Sequence, residues 1–488
     1  MNDELLAQIG AAVAVAGLAA LLLARPRWAR LAGLSAWGLG LALFLPFLLP
    51  SGQAVRLAAA GLAGLVLAAA LALLFVRWPW SLAFLALAAA PARIPVSVGD
   101  TSANLLVPLY AVVAGAAGAL AWHLLKGEHR ARELGTLSWP LALLVGWVGL
   151  SLAWTDDVRA GAITLFFFVL PFGVLAVGLA GLPWSPRALT GLFGLLCAMA
   201  LVFAAIGGWQ WLTRDVFRNP KVIVSNSYAP FYRVNSVFWD PSIYGRFLVV
   251  AILAALVLIL FQALRNDLLE LGLGALLLAV WVGLFVSFSQ SSFAALVAGV
   301  VLAVALAWRW RALAAVGLVA AVMIPVGMAA PQLENVRDSL FGSSQSRIDR
   351  ATGNRSQLLG NGLRIAADHP VAGVGVGGFK EAYAERVGVR RAPSSVSHNT
   401  PLTIAAENGV VGLALFLWLL AAAALTCFRG ALAGDTPATQ TRLIAGVALG
   451  AILVHSLFYD ALFEDPMTWG LLALAALAAG QGGEEATA

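Results

Sequence analysis

Residues 395–420 read SVSHNTPLTIAAENGVVGLALFLWLL, a histidine and an asparagine set directly before a proline-started apolar run. The run is long enough to cross a bilayer, since about 20 apolar residues in a helix span the hydrocarbon and satisfy every backbone amide within one segment. Similar runs recur along the 488-residue chain, which is 61% hydrophobic and only 11% charged, with a mean hydropathy of +0.89. Apolar residues in these runs do not alternate as they would in strands. The expected fold is an all-α polytopic membrane protein of roughly 12 to 15 transmembrane helices.

The first apolar stretch follows Asn2, Asp3 and Glu4 without a basic leader, so it reads as a first span rather than a cleaved signal. Cys197 and Cys427 both lie inside apolar segments, which excludes a disulfide framework or a cysteine metal site. The chain divides into transmembrane helices over 1–213, an extracytoplasmic loop at 214–242, central helices over 243–330, a larger and partly helical extracytoplasmic loop at 331–400, and C-terminal helices over 401–488.

Orientation follows from the short connections, because those rich in Arg and Lys stay in the cytoplasm. Arg25, Arg27 and Arg30, then Arg77, then Lys126, Arg130 and Arg132, then Arg187, Arg265, Arg309 with Arg311, and Arg429 with Arg442 fall on one side. The other side receives Ser51 to Gln53, Asp100, Asp156 with Asp157, and Asp460 with Glu464 and Asp465. The two long loops fall there as well, and both are basic. The larger carries Arg337, Arg347, Arg350, Arg355, Arg364, Lys380, Arg386, Arg390 and Arg391 against six acids, and the smaller adds Arg214, Arg218, Lys221 and Arg233. A solvated loop surface would carry such charges too. Arginine predominates over lysine, however, as suits forked hydrogen bonding to phosphate oxygens, so a positively charged basin for an anionic substrate is expected outside.

Within the opening stretch, Pro401 suits the first helical turn and Thr400 can cap it, leaving His398 and Asn399 just before the helix N-terminus. The positive end of a helix favours bound anions and disfavours imidazolium, so His398 there is neutral and able to accept a proton. A histidine bonded to its own loop would occupy the same place. Glu407 lies about two turns into the span, where a carboxylate is costly unless paired or functional. Gly409 and Gly412 read as close helix packing.

Upstream, NRSQLLGNGLRIAADHPVAGVGVGGF begins at Asn354 and reads as a short helix to Ala367, stopped by His369 and Pro370, then a glycine-rich turn. Arg355 and Arg364 are nine residues apart and so lie on opposite helix faces. Gly373, Gly375 and Gly378 match G-x-G-x-x-G formally, but no strand precedes them and the dinucleotide reading fails. In FYRVNSVFWDPSIYGRFLVV, from Phe231, the aromatic residues Tyr232, Trp239 and Tyr244 interleave with Arg233, Asp240 and Arg246, which suits sugar rings or a membrane-interface belt. The stretch VSFSQSSFAAL from Val286 sets Ser287, Ser289, Gln290, Ser291 and Ser292 at an outer junction of two spans, as a tight turn or a cavity lining. His455, inside a late span near Asp460 and Glu464, reads as a packing hydrogen bond or, at an outer helix end, as lining of an acceptor entrance. His369 and His398 lack a third ligand at zinc spacing.

Three stretches taken together, RVNSVFWDPSIYGRFL, GNRSQLLGNGLRIAADHPVAGVGVGGF and HNTPLTIAAENGVVGL, resemble the O-antigen ligase and polymerase family of GT-C-like membrane glycosyltransferases. The resemblance covers residues 233–412, and the N-terminal half matches only as apolar helices. It implies a bacterial cytoplasmic membrane enzyme whose site faces the periplasm or cell exterior. The donor would be a glycan on a polyprenyl (undecaprenyl-type) pyrophosphate, moved to an acceptor hydroxyl on a glycan or lipid, with inversion and without metal, nucleotide sugar or other cofactor. Arg233 matches the family arginine that holds the pyrophosphate, His398 the histidine that activates or positions the acceptor, and Arg355 the basic residue opening the helix before H-P-x-x-G-x-G. Gln290 stands where many members carry arginine, which leaves neutralisation to Arg233, Arg246, Arg355 or Arg364. Ligase and polymerase stay equally open. A transporter of the same lipid-linked glycan would want charges along a midplane path and an internal repeat. A peptidoglycan polymerase of the shape, elongation and division type would want an indispensable outer carboxylate such as Asp240.

The orientation predicts that, with both native cysteines replaced, a cysteine at His398 reacts with a membrane-impermeant maleimide added outside intact cells, whereas one at Arg429 does not. The reverse pattern would overturn the topology.

Overall fold

The computed structural model describes residues 3–48, 54–98, 101–128, 132–217, 219–228, 232–261, 267–308, 355–389, 397–433 and 436–484. The helices run α1 (Asp3–Leu23), α2 (Arg27–Leu48), α3 (Ala54–Arg77), α4 (Ser81–Ala89), α5 (Val107–Lys126), α6 (Ser138–Leu150), α7 (Val158–Thr164), α8 (Leu170–Ala180) and α9 (Pro186–Thr213). They continue as α10 (Pro220–Tyr228), α11 (Pro241–Leu260), α12 (Asp267–Ser287), α13 (Gln290–Trp308), α14 (Arg355–Asp368), α15 (Phe379–Val387), α16 (Thr400–Phe428), α17 (Pro437–Ser456) and α18 (Pro466–Glu484). Among the described residues, ten helical stretches are long and apolar enough to cross a membrane. The polytopic helical fold is as expected. One local feature was not: β1 (Ile94–Val98) and β2 (Thr101–Leu105) pair antiparallel, with Ile94 opposite Leu105.

The first two helices pack backbone to backbone. A Cβ on Gly17 would fall 2.4 Å from the Gly33 carbonyl oxygen, and one on Gly40 would fall 2.4 Å from that of Gly10. Small residues at such a crossing replace a hydrophobic drive that lipid cannot supply. The hairpin is held at one end by Arg30, fully buried, whose guanidinium lies 2.7 Å from Glu133 and bonds the Leu21 carbonyl. Arg132 reaches the Leu23 carbonyl, Trp80 that of Pro183 and Arg442 that of Arg429. These are the connections that the charge count assigned to one side. The opposite set is likewise joined, through Val376 to Ser151, Asn399 to Leu457, Arg233 to Ser287 and Arg246 to Asp465.

The opening stretch does not form one continuous helix. Gly409 adopts φ +64° and ψ −166°, and α16 breaks there. The expectation that Gly409 only eases packing is therefore corrected: it ends one helix and starts another. The freed backbone groups find partners in the glycine-rich turn. Val374 N–H donates to Ala406 O (3.0 Å), Gly375 N–H to Glu407 O (2.8 Å), and Val410 N–H to Pro370 O (2.8 Å). Trp147 Nε1 donates to Asn408 O at 2.9 Å. Unwound backbone at membrane depth is tolerated only when protein satisfies it in this way. Gly375 and Gly377 also have positive φ, and a Cβ on either would strike residue Thr155 or Gly161. The glycines thus serve a backbone junction and cradle no nucleotide.

Gly409→Ala should be severely destabilising, because a Cβ would sit 2.1 Å from Val371 O and the backbone conformation itself costs an L-residue about 1–3 kcal/mol. The unfolding temperature in detergent should drop by several degrees. No change would mean that the break is not held by this junction.

Candidate active site

The mouth of α16 is built by short side chains. Asn399, not Thr400 as expected, is the N-cap: its Oδ1 accepts from Leu402 N–H at 3.0 Å. Ser397 Oγ donates to Asn399 O and accepts from Asn399 N–H. Between them His398 is forced to φ +59°, a left-handed conformation that non-glycine residues rarely hold without tertiary support. Asn399 Nδ2 supplies that support by donating to Leu457 O (3.3 Å).

Thr400 is then free to point elsewhere. Its hydroxyl donates to Asp460 Oδ1 at 2.6 Å, and Thr403, one turn along, donates to Asp460 Oδ2. The α17–α18 connection is thereby tied to the start of α16. Burial pushes the Asp460 carboxyl up from its ordinary value, against the two threonine hydroxyls and nearby His398, which hold it down.

These residues line a cavity of about 480 Å³. His398, Thr400, Thr403, Glu407, Tyr459, Asp460 and Glu464 face it, with Lys380 exposed at its rim and apolar walls from α6 and α7. Glu407 is buried and its Oε1 accepts from Phe379 N–H at 3.4 Å. Burial, and then Asp460, push Glu464 up to about 7, with Arg93 and Arg246 pulling the other way. Burial and Asp240 raise the Tyr459 hydroxyl, which stays a hydrogen-bond donor.

The described lining differs from the arginine-lined basin that the loop charges suggested. It holds three carboxyl groups against Lys380 and His398. Burial raises both Asp460 and Glu464, and the shift of Glu464 to about 7 lowers the negative charge that this group carries near neutrality. Arg337, Arg347, Arg350, Arg390 and Arg391, which carried much of the expectation, lie outside the described residues.

Arg233 stands at a second station. Its backbone is bracketed by Asn226, and its Nε donates to the Ser287 carbonyl at 3.4 Å. Ser287 ends α12, and a turn through Phe288 and Ser289 leads into α13, so the serine cluster is the tight junction expected. Ser291 Oγ lies 3.1 Å from His455 Nε2, which is also 3.2 Å from Ser242 O. The His455 and Tyr459 rings are 5.7 Å apart, so buried polar groups lead from the Arg233 station to the cavity wall.

The remaining sequence-derived residues are dispersed. Tyr232 lies under the Arg214 guanidinium, 5.0 Å from ring centre to Cζ. Trp239 is half-buried, and Asp240 caps α11 by accepting from Ser242 N–H. Tyr244 is fully buried, with its hydroxyl donating to Phe203 O. Arg246 is buried against Asp465 at 2.7 Å. Gln290 and Arg364 are exposed. Arg355 opens α14, and its side chain lies outside the description. Among the described residues, His398 and Glu407 are the sequence-derived site candidates that line the cavity, joined by Lys380 of the basic loop. Sequence reading missed Thr400, Thr403, Tyr459, Asp460 and Glu464 as one wall. The available signal was an acidic connection beside a late histidine, which by itself reads as ordinary outer loop.

Residues 274–417 match a family model described as O-antigen ligase. The matched segment contains the serine junction, α14, α15, His398 and Glu407, while Arg233, Arg246, Asp460 and Glu464 fall outside it. No curated protein matches the chain.

The raised Glu464 value has a consequence for stability. Below about its ordinary value of 4.5 the group is protonated whether folded or not; above that the unfolded chain releases its proton while the folded one keeps it until about 7. Its contribution is therefore complete at low pH and is lost as pH rises through that window, and Asp460 acts in the same direction. The unfolding temperature in detergent should fall from pH 5 to pH 8, and fall less in Glu464→Gln. Equal slopes in the two proteins would refute the shift.

Proposed function

We propose that this membrane protein, which carries an O-antigen ligase-family domain over residues 274–417, transfers a glycan from a polyprenyl (undecaprenyl-type) diphosphate to an acceptor hydroxyl at the outer face of the cytoplasmic membrane. The observation that carries the reading is the pairing of that match with the cavity at His398, which offers room for a sugar and hydrogen-bonding groups around it. Carboxyl, hydroxyl and amide groups suit sugar hydroxyls, and the apolar wall suits the C–H faces of a ring.

In the proposed step the acceptor oxygen attacks the anomeric carbon from the face opposite the diphosphate. The C–O bond to the diphosphate breaks and its electron pair leaves with the phosphate oxygen. The acceptor proton passes to His398, which lines the cavity just before the N-terminus of α16, where the positive end of the helix disfavours imidazolium. Asp460, held by Thr400 and Thr403, lies close enough to stabilise the imidazolium that results. Diphosphate is a good leaving group, so positioning and charge neutralisation can supply much of the rate. Arg233 is the proposed neutralising cation, with Arg355 and Arg364 as further donor-binding candidates on opposite faces of α14.

Purified His398→Ala should lose transfer by about a hundred-fold or more, as expected for removal of a general base. Arg233→Ala should raise KM for the lipid-linked donor by about ten-fold, as for a lost charge-assisted hydrogen bond. Product formation from lipid-linked glycan in proteoliposomes measures both. Wild-type rates in both variants would remove the assignment, and movement of unmodified donor across the bilayer without a new glycosidic bond would favour a transporter.

A further inference from the structure

The lining of the cavity includes a polar group that the transfer step does not use. Asn408 is 3% exposed and lines the cavity beside Glu407, one residue before the break at Gly409. Its backbone carbonyl accepts from Trp147, but its side-chain Oδ1 has no hydrogen-bond partner among the described residues. A buried amide oxygen is costly to leave unpaired, and a ligand that brings an O–H or N–H removes that cost.

The surroundings are fitted to this side chain. A Cβ on Gly412, one turn along, would fall 2.3 Å from Asn408 Cβ and 3.4 Å from Trp147 Cδ1, so a larger residue at 412 would displace the amide. Glu407, its neighbour, accepts from Phe379 N–H at 3.4 Å, and a carboxyl group has acceptor positions beyond that one. The lining also holds Leu144, Val148, Phe463 and Trp469. Polar groups of this kind meet the hydroxyl edge of a sugar ring, while aliphatic and aromatic walls meet its C–H faces. Asn408 lies eight residues along α16 from Thr400, about 12 Å by helical rise, and so meets a part of the ligand remote from His398.

We propose that Asn408 is a specificity-determining residue of this cavity: its amide oxygen, beside the Glu407 carboxyl, accepts from a hydroxyl of a hexose ring in the bound glycan. For that ligand class the inference rests on the proposed transfer reaction. The hydroxyl read here is distinct from the one that reacts at His398. A site whose buried amide is paired only by its ligand discriminates strongly against a sugar lacking the matching hydroxyl. Stability is given up for recognition, since the free protein bears an unpaired group that the complex does not.

The test reads binding to the full chain, in a detergent without a sugar headgroup, by saturation-transfer NMR with the methyl glycosides of glucose, galactose, mannose and N-acetylglucosamine. At least one should bind saturably, and among its monodeoxy analogues one position should cost about ten-fold in affinity. Asn408→Leu, which keeps the volume and removes the amide, should bind the parent glycoside about ten-fold more weakly. It should also be indifferent, within about two-fold, to loss of that same hydroxyl. Its unfolding temperature should be unchanged or higher, because the unpaired group is gone. Asn408→Ala makes the same binding comparison with less bulk. Absence of saturable binding by all four glycosides, equal deoxy penalties in wild type and both variants, or a less stable Asn408→Leu that binds as wild type does, would each overturn the proposal. Because binding is read without turnover, a chain that holds a glycoside through Asn408 yet forms no glycosidic bond would sink the transferase reading alone. Glycosyl transfer with a deoxy penalty untouched by either variant would sink this inference alone.

Discussion

A backbone that leaves the helical conformation at membrane depth must find other partners for its amides and carbonyls, and Gly409 imposes that demand on this chain. The demand is met by residues 370–375 and Trp147, which satisfy Ala406, Glu407, Asn408 and Val410. Since the same turn also bonds Ser151 through Val376, it is clamped between α16 and the segment that follows α6. The two short helices α14 and α15 are carried on that clamp. Phe379, at the start of α15, donates to Glu407, so the break fixes both the position of a carboxyl and the floor of the cavity.

The opposite wall depends on a different economy of groups. Asn399 takes the capping role, which releases Thr400 to join Thr403 in holding Asp460. Had Thr400 capped the helix, Asp460 would lack one of its two hydroxyl donors and the α17–α18 connection would lose a tether. The same cap, with Ser397, holds His398 in a left-handed turn that few other surroundings would sustain. Histidine, carboxyl and helix terminus are thus coupled: the terminus disfavours imidazolium, while Asp460 favours it.

The charge distribution also separates roles. Carboxyl groups line the cavity, while guanidinium groups outside that lining are held by other partners, Arg246 by Asp465 and Arg233 by the Ser287 carbonyl. The buried path through Ser291, His455 and Tyr459 connects these two regions across α11, α13 and α17.

Much of this was legible in the residues themselves. Long apolar runs require helices, because lipid offers no partner to an open backbone, and the arginine count of short connections sorts the loops into the same two ends that the side-chain contacts join. His398 before a proline-started helix, the serine junction and the helix opening at Arg355 follow from local rules of the same kind. Capping was decided otherwise, since both Asn399 and Thr400 can cap and only the nearness of Asp460, 60 residues away, gives Thr400 another partner. Gly409 reads as packing until the turn at Pro370 arrives to accept from Val410. Local pattern therefore determined which segments cross the membrane and which ends they share; distant contacts alone decided which carboxyls meet His398, because proximity across 60 residues depends on how helices pack and leaves no periodic trace in the chain.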